Sequence, residues 1–261
     1  MTSERYTTTS TVVVRGRDAF VVDPAWTVAE RDGIVAWLRE RELEVVAGFA
    51  THAHHDHLLW HPELGDVPRW ASLGTVRCAH EWRDELIGAL GDDLPDGWPN
   101  PIDGIRPVAG DRLDPFALPA HAADATEALD AVEPMAPVEP IELVVHDGHA
   151  PGHTALLLTD RRVLVAGDML SDVELPLPFH PDDLPAYLAA LDALAPAVTR
   201  AIALVPGHGH PTDRPLERLD ADRRYLDALI AGREPHDDRR GLPGMAEAHE
   251  RNVDLARDLR G

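Results

Sequence analysis

The chain contains no lysine and a single cysteine, Cys78, so two common kinds of chemistry are missing from it. One cysteine excludes an intrachain disulfide and a metal cluster held by several thiolates. All 24 basic residues are arginines, against 46 Asp and Glu, and the formal charge is −22. An acidic protein of this kind repels phosphate backbones, so we expect no nucleic-acid partner. Coding bias explains the missing lysines more simply than function does.

Long hydrophobic runs are also missing. No stretch approaches the roughly 20 apolar residues that span a bilayer, and residues 1–10 lack a cationic segment followed by an apolar run. We therefore expect no membrane association and a cytoplasmic location. The length allows one large domain or two small ones, and the sequence leaves the oligomeric state open.

Short β-type runs alternate with segments of helical spacing. Strands are predicted at residues 11–14, 19–22, 44–50, 141–145, 155–159, 162–166 and 201–205, with a strand-like stretch at 67–79. Helices are predicted at residues 30–42, 81–90 and 185–194. Two blocks of strands, each followed by helix, favour sheets packed together with helices outside.

Residues 91–140 break this pattern, because prolines and acidic residues accumulate there and aliphatic periodicity fades. Within them, residues 122–132 have the composition of a weak helix. We interpret 91–140 as an insertion or lid within a single domain of residues 1–261. Residues 216–261 are charged and helix-prone and predict a helical C-terminal extension, with a break at residues 241–244.

The strongest local signal is the run from Thr51 to His57, which places four histidines and one aspartate in six positions. Imidazole nitrogens and carboxylate oxygens are ligands that zinc favours. His52 and His54, two residues apart at a strand end, could reach one metal. Asp56 and His57 could face a second metal from the first turn of a helix. The alternative is a loop of exposed histidines.

Three further residues of the same chemistry follow predicted strands. His153 lies in an Ala-Pro-Gly-His-Thr segment, Asp168 closes an apolar strand, and His208 is flanked by glycines. A carboxylate at the end of an apolar strand is costly unless it is paired. Each signal is modest alone, but together they place every candidate ligand at a strand end.

This set of residues resembles the five-motif signature of the metallo-β-lactamase superfamily. The similarity runs from about Val12 to about Pro211, with Asp23 at the first motif, and leaves 91–140 and the tail without a counterpart. The resemblance implies an α/β fold, the four-layer αββα sandwich, with the site at one edge where two sheets meet. It also implies two divalent metal ions, with zinc expected and iron or manganese as alternatives.

The resemblance also implies a role for each residue. Ligands to the first metal would be His52, His54 and His153; ligands to the second would be Asp56, His57 and His208. Asp168 would bridge both metals, and Asp23 would steady the ligand loop by hydrogen bonds. Asp56 would in addition be catalytic, orienting a hydroxide that forms between the two cations.

The expected activity is hydrolysis of a small-molecule thioester or ester. A bridging Asp168 resembles the glyoxalase II and lactonase branches more than true β-lactamases, but the lactonase tyrosine is replaced by Ser171 and the glyoxalase II pattern after the aspartate is absent. Alternatives are a small-molecule phosphodiesterase or lactonase, or a persulfide dioxygenase with one iron. A silent binding protein is disfavoured because no ligand is missing, and a nuclease because no basic stripe is present.

Other polar and aromatic residues have simpler interpretations. We expect surface, supporting or ordinary loop roles for six further histidines, which are His55, His61, His146, His149, His180 and His210. An acidic run is expected to be solvated or, if it borders the pocket, to favour cationic or neutral substrates; its members are Asp172, Glu174, Asp182 and Asp183. Core packing is the expectation for most of the tryptophans Trp60, Trp70, Trp82 and Trp98.

Overall fold

The computed structural model describes residues 1–117, 139–178 and 182–261. Within these ranges the chain forms two five-stranded sheets. The strands are β1 (Thr11–Arg15), β2 (Asp18–Val22), β3 (Glu44–Phe49), β4 (Arg69–Ala71), β5 (Ile105–Pro107), β6 (Arg112–Leu113), β7 (Ile141–His146), β8 (His153–Leu158), β9 (Val163–Gly167) and β10 (Ala203–Pro206). The helices are α1 (Val28–Glu40), α2 (Leu73–Glu81), α3 (Arg83–Leu90), α4 (Leu184–Arg200), α5 (Pro215–Ile230) and α6 (Met245–Asp258).

The two sheets differ in their strand pairing. In the first sheet, of order β1-β2-β3-β4-β5, β1 and β2 are antiparallel and the later pairs are parallel. In the second sheet, of order β10-β9-β8-β7-β6, the pairs from β6 to β9 are antiparallel and β9 pairs with β10 in parallel. In each sheet a parallel pair, β2 with β3 and β9 with β10, delivers two carboxyl ends to the same edge.

A shared hydrophobic core joins the two sheets face to face. Phe20 and Val22 of β2 pack in one cluster with Leu156 and Leu158 of β8. The intervening residues of each strand point the other way, as the twofold repeat of a strand requires. On the outer face of the first sheet, α1 packs Ile34 and its neighbours against β2, and α4, α5 and α6 cover the outer face of the second sheet. The result is the expected α/β sandwich of αββα layers.

Local sequence fixes the starts of the main helices. Thr27 and Glu30 form a reciprocal capping box at the start of α1. Asp183 caps α4 by accepting a hydrogen bond from the N–H of Ala186. The predicted helix at 185–194 therefore starts one residue earlier, and it runs on to Arg200.

Two predictions for single segments are wrong. Residues 67–79 were expected to be strand-like, but only Arg69–Ala71 is a strand, and α2 follows at once from Leu73. Residues 91–140 were expected to lack regular strands, yet β5 joins the first sheet and β6 the second. The predicted weak helix at 122–132 and His180 lie outside the described residues. The lid, the single domain and the C-terminal extension stay predictions, although α6 packs into the core.

No helix in the described ranges combines the length and the apolar character needed to cross a bilayer.

Candidate metal centre

The candidate ligands lie in loops at one edge of the sandwich. Residues 51–57 follow β3, Asp168 follows β9, and His208 follows β10. The loop of residues 147–152 connects β7 to β8, and β8 is antiparallel to β9, so this loop lies at the same edge. The fold thus brings residues more than 150 positions apart in the chain to one place.

The 51–57 segment is a run of turns and bends. Asp56 and His57 were expected in the first turn of a helix, and that expectation is wrong. The N–H of His57 donates to the carbonyl of His54 at 3.1 Å, which closes a turn. The turn brings side chains of the segment, including the adjacent Asp56 and His57, to the candidate ligand groups.

Asp23, directly after β2, fixes the position of the 51–57 segment by hydrogen bonds. Its Oδ1 accepts the N–H of Thr51 at 2.8 Å, and its Oδ2 accepts the Thr51 hydroxyl at 2.7 Å. The same Oδ2 lies 3.0 Å from His57 Nδ1. Because Asp23 is only 1% exposed, these contacts account for a buried carboxylate and orient both the loop and the His57 ring.

Three histidines and one aspartate form what we call the first group: His52, His54, His149 and Asp168. One ligand atom from each lies within 4.8 Å of all the others. His54 Nδ1 is 2.9 Å from His52 Nε2 and 3.1 Å from His149 Nε2. Three imidazole nitrogens therefore converge on one point beside a carboxylate.

Two histidines and one aspartate form the second group: Asp56, His57 and His208. Asp56 Oδ2 lies 3.3 Å from His57 Nε2 and 3.2 Å from His208 Nε2. The two imidazole nitrogens are 3.4 Å apart. All three side chains are buried, so the group is shielded from competing water.

Asp168 contacts both groups. Its Oδ1 is 3.2 Å from His57 Nε2, and its Oδ2 is 3.3 Å from His208 Nε2. The same Oδ2 is 3.4 Å from both His52 Nε2 and His149 Nε2. A carboxylate in this position is placed to serve two cations at once.

Hydrogen-bond acceptors behind the rings fix where the imidazole protons reside. His149 Nδ1 lies 2.8 Å from the carbonyl of Leu177, and His208 Nδ1 lies 2.8 Å from the carbonyl of Tyr6. A carbonyl can only accept, so each Nδ1 carries a proton, which leaves Nε2 as the ring nitrogen available to a metal ion.

His52 is fixed in the same sense through Thr51. The Thr51 hydroxyl already donates its proton to Asp23, so its contact of 3.0 Å with His52 Nδ1 requires the ring nitrogen to donate. His52 Nε2 is then left as a lone pair facing His54 and His149. Lone pairs this close repel one another unless a cation or proton lies between them.

The donor set fits divalent metal ions. Asp168 Oδ1 is buried and, although His57 Nε2 lies 3.2 Å away, no described group is aligned to donate a hydrogen bond to it, which is costly for a carboxylate without a metal ion. The mixture of imidazole nitrogen and carboxylate oxygen suits zinc, and also iron or manganese. The first group would hold one ion and the second group another, with Asp168 shared.

His149 takes the place that sequence analysis gave to His153. His153 Nε2 accepts the N–H of Asp168 at 3.0 Å, and its ring stacks on His52 and His146. The first group contains His149 and does not contain His153. His149 is therefore a candidate ligand that the sequence treated as an ordinary loop histidine, and the role of His153 as a ligand stays a prediction.

The register of the second sheet explains this exchange. His153 is the first residue of β8 and pairs with His146 of β7, so its side chain is committed to the sheet. His149 lies in the connecting loop, where the backbone can turn the ring toward the centre. Both follow a glycine, and the sequence offers no other local signal that separates them.

Burial and the surrounding charges set the pKa values of the buried groups. Burial lowers the pKa of His52 to about 4 and, with the neighbouring histidines, holds the pKa of His54 well below 6.5. Burial also opposes the charged form of His57, but the carboxylates of Asp168, Asp56 and Asp23 outweigh it and raise the pKa of His57 well above 6.5.

The carboxylates respond to the same contacts in the opposite direction. Burial disfavours their ionised forms, yet the His57 and His208 imidazoles hold the pKa of Asp56 and of Asp168 well below 3.8. Both aspartates are therefore anionic at neutral pH. The second group is electrostatically arranged to balance positive charge.

Most of the other histidines have local partners. His55 packs edge-on to Trp26, and His210 pairs with Asp172 on the surface. His61 caps a short 3₁₀ turn by accepting the N–H of Glu63. His146 is buried, accepts the N–H of Gly148, and its Nε2 has no partner among the described residues.

The acidic run divides between surface partners and the centre. Asp172 pairs with His210 and Arg218, and Asp183 caps α4. Glu174 differs, because its carboxylate lies within 4.8 Å of ligand atoms of Asp168 and His208. Burial raises the pKa of Glu174, and the opposing effect of His208 and His149 does not outweigh it. The sequence did not separate Glu174 from its neighbours.

The tryptophans pack largely as expected. Trp60 belongs to the cluster under α1, Trp70 packs against the core between the sheets, and Trp82 packs against the cluster under α2 and α3. Trp98 lies edge-on to His61.

Comparison with known proteins gives a family match over most of the chain. The model of the metallo-beta-lactamase superfamily matches residues 4–208. Hydroxyacylglutathione hydrolase from Synechococcus sp. (strain CC9605) is 38% identical over 68 residues, which are 26% of this chain and 25% of that protein. The same enzyme from Parasynechococcus marenigrum (strain WH8102) is 43% identical over 63 residues, 24% of this chain and 23% of that protein. These matches span about a quarter of the relatives' length.

Solved structures show the same fold at low sequence identity. TTHA1623, in a di-iron-bound form, superposes with a TM-score of 0.58 and 21% identity over 83% of this chain and 95% of that one. The BLEG-1 B3 metallo-beta-lactamase gives a TM-score of 0.57 and 18% identity over 83% and 93% of the two chains. The family match spans all ten strands and every residue of both groups, and the chain belongs to the metallo-β-lactamase superfamily.

Proposed function

We propose that the protein is a hydrolase with two divalent metal ions, most simply zinc, that cleaves a small thioester or ester. The observation that carries the proposal is the pair of ligand groups joined by Asp168. His52, His54 and His149 would hold one ion, and Asp56, His57 and His208 the other, with Asp168 between them. Two further facts support it: the superfamily contains metal-dependent hydrolases, and the partial relatives are named hydroxyacylglutathione hydrolases.

When bound, two such ions lower the pKa of a water and polarise the carbonyl of a substrate. The chain itself keeps the imidazole protons on Nδ1 of His149 and His208 through the carbonyls of Leu177 and Tyr6. Asp56, anionic and buried beside His57 and His208, is placed to accept a hydrogen bond from the attacking water. Water adds to the acyl carbon, the C–S or C–O bond breaks, and the leaving thiolate or alkoxide takes up a proton.

The metal complement is the first experiment. Protein purified without added metal is analysed for metals, and metal-free protein is then loaded with zinc, manganese or ferrous iron. We expect two ions per chain and the highest kcat/KM with zinc. Iron is a genuine competitor, because TTHA1623 was solved in a di-iron-bound form. One iron per chain together with oxygen consumption on a persulfide would instead indicate a dioxygenase.

A substrate panel separates the remaining activities. It contains a thioester, an ester, a lactone and bis(nitrophenyl) phosphate. We expect the thioester or ester to be turned over fastest. Faster turnover of the phosphodiester or the lactone would contradict the proposal and favour one of those two hydrolases.

Asp168→Ala tests the shared carboxylate. We expect it to weaken binding of the second ion and to abolish turnover while the chain remains folded. The matched control is His210→Ala, because His210 is exposed and lies outside both groups. Wild-type turnover by Asp168→Ala at full metal loading would contradict the role of Asp168.

A further inference from the structure

A cavity of about 780 Å³ opens beside the metal centre. Its walls come from three separate parts of the described chain: residues 4–7 at the N-terminus, residues 173–178 after β9, and residues 242–252 around the start of α6. A volume of this size accommodates a small organic ligand. Glu174, in the second of these segments, forms a further potential ligand group with Asp168 and His208, and the other two segments supply no candidate ligand among the described residues.

Three wall residues connect the cavity directly to the centre. The carbonyl of Tyr6 accepts the hydrogen bond of His208 Nδ1, and the carbonyl of Leu177 accepts that of His149 Nδ1. Glu174 extends its carboxylate to within 4.8 Å of ligand atoms of Asp168 and His208. One end of a molecule bound in the cavity would therefore lie next to the metal ions that the centre would hold.

The wall is largely apolar. It includes the hydrophobic residues Val173, Leu177, Pro178, Leu242, Pro243, Met245 and Ala248. Leu177 and Met245 are each 7% exposed, so they are packed and offer a fixed surface. Such a surface favours a branched or linear hydrocarbon group over a sugar or a nucleotide.

The wall of the cavity carries more acidic than basic side chains. Three carboxylates line the cavity, those of Glu4, Glu174 and Glu247, against the single guanidinium of Arg251. Arg251 lies 3.6 Å from Asp182, so its charge is already balanced outside the cavity. Glu174, largely buried, makes no side-chain hydrogen bond or ion pair with any described residue, and its N–H and carbonyl alone are engaged.

From these observations we propose that the cavity selects aminoacyl esters or thioesters with an apolar side chain, and that Glu174 is the residue that recognises their ammonium group. The inference rests on the proposed hydrolase function. The apolar wall receives the side chain, and the Glu174 carboxylate lies where an ammonium beside the reacting carbonyl would be. An anionic group in the same position would meet uncompensated carboxylates at short range.

Three thioesters of one thiol form the test set: those of leucine, N-acetyl-leucine and isobutylsuccinic acid. They place a cation, a neutral amide and an anion next to the same carbonyl. We expect kcat/KM to fall in that order, by ~10-fold or more between the first and the last, since a tenfold preference needs only about 1.4 kcal/mol. In Glu174→Gln the preference should drop below ~3-fold, mainly through a higher KM for the leucine thioester.

Glu250→Gln is the matched control. Glu250 is exposed on α6 and does not line the cavity. We expect this variant to keep the wild-type order and size of preference. The comparison separates a local effect of Glu174 from a change in the net charge of the protein.

Binding supplies a readout that does not depend on turnover. Leucinamide and N-acetyl-leucinamide are titrated into the metal-loaded protein by calorimetry. We expect leucinamide to bind more tightly than its acetylated form, and to lose ~10-fold in affinity in Glu174→Gln. The metal content of Glu174→Gln should equal that of the wild type.

Each contrary result has a distinct meaning. Equal turnover of all three thioesters would overturn the inference and leave the hydrolase proposal intact. Loss of an ion from Glu174→Gln would overturn it by making Glu174 a metal ligand. Glu174-dependent binding of leucinamide without cleavage of any ester or thioester would overturn the hydrolase proposal and leave the recognition role of Glu174 standing.

Discussion

At the scale of single residues, the centre depends on groups that never face the metal ions. Carbonyls of Tyr6 and Leu177, and the Asp23 carboxylate, decide which nitrogen of His208, His149 and His57 carries its proton. An imidazole that presented N–H to the centre could not be a ligand. Changes to these acceptors therefore weaken metal binding without removing any ligand.

The exchange of His149 for His153 leads to a direct comparison. We expect His149→Ala to lower the affinity of the first site for zinc by ~100-fold or more, because it removes a donor. His153→Ala should lower that affinity by ~10-fold to 100-fold at most, because His153 supports Asp168 and His52 from behind. Chelator competition measures both affinities. A greater loss in His153→Ala than in His149→Ala would restore the original assignment.

Gly207 tests how tightly Asp168 is placed. A Cβ at position 207 would overlap Asp168 Oδ1, so Gly207→Ala must push the shared carboxylate away from the groups. We expect loss of at least one ion and a fall in kcat/KM of ~100-fold or more, since a misplacement of ~1 Å has effects of that size. Gly33→Ala is the control, because Gly33 lies in α1 with nothing near its added Cβ.

The Gly33→Ala control also carries a prediction about stability. Alanine is favoured over glycine inside a helix, so Gly33→Ala should raise the free energy of unfolding by up to about 1 kcal/mol and leave metal content unchanged. Full metal content and activity in Gly207→Ala would show that Asp168 has room to move.

At the scale of elements, single polar residues that cap helices determine where a strand ends and the next helix begins. Residues 67–79 read as strand because of their apolar content, but Ser72 accepts the N–H of Thr75 and starts α2. The hydroxyls of Ser72 and Thr75 also donate to the carbonyl of Gly152, which ties α2 to the loop before β8. The role of Ser72 as a helix cap can be recognised in the sequence, whereas its contact with Gly152, 80 residues away, cannot.

The segment after α5 is fastened to the loop that borders the centre. Arg239 donates to Asp222 at 2.7 Å and to the carbonyls of Ser171 and Glu174 at 2.8 Å. Both charged side chains are buried, with Asp222 1% exposed. The C-terminal helices therefore support the Glu174 segment as well as covering the second sheet.

Removing this arginine should destabilise the protein. Arg239→Met leaves the Asp222 carboxylate buried without its partner, and we expect the free energy of unfolding to fall by ~3–5 kcal/mol. Arg257→Met, which breaks the exposed pair of Arg257 with Asp254, should cost ~1 kcal/mol or less. Urea unfolding of the two variants compares them. Equal stability of both would contradict a structural role for the buried pair.

At the scale of the whole molecule, the buried histidines make the metal-free protein sensitive to acid. Burial lowers the pKa of His146 to about 3, with smaller contributions from His149 and His52. The unfolded chain, with a pKa of 6.5, binds this proton more readily than the folded chain. The resulting stability is complete above pH 6.5 and is lost as the pH falls toward 3.

His146→Asn isolates this effect. The asparagine oxygen can still accept the N–H of Gly148, which His146 Nδ1 accepts at 3.2 Å. Between pH 6.5 and 4 we expect the free energy of unfolding of the metal-free variant to fall less steeply than that of wild type, by up to about 1.4 kcal/mol per pH unit. Parallel pH profiles of the two proteins would show that His146 is not the group that titrates.

The sequence pattern by itself predicted packed sheets with helices outside, the family resemblance supplied the αββα layers, and six of the seven side chains of the two groups were among the candidate ligands. Periodicity of apolar residues dictates which strand face is buried, and chemically active residues at strand ends meet wherever parallel strands share an edge. Apolar periodicity and the residue types at strand ends are local properties, so they can be recognised in a single sequence. Zinc, the exact substrate and the single-domain boundary stay predictions.

Only the tertiary structure brought His149 into the first group, and only it singled out Glu174. Both choices depend on contacts between segments far apart in the chain: the pairing of β7 with β8 commits His153 to the sheet, and the N-terminus, the Glu174 segment and α6 enclose one cavity. The residue type sets the chemistry that is available to a side chain. The packing of segments distant in sequence sets which other groups that side chain contacts.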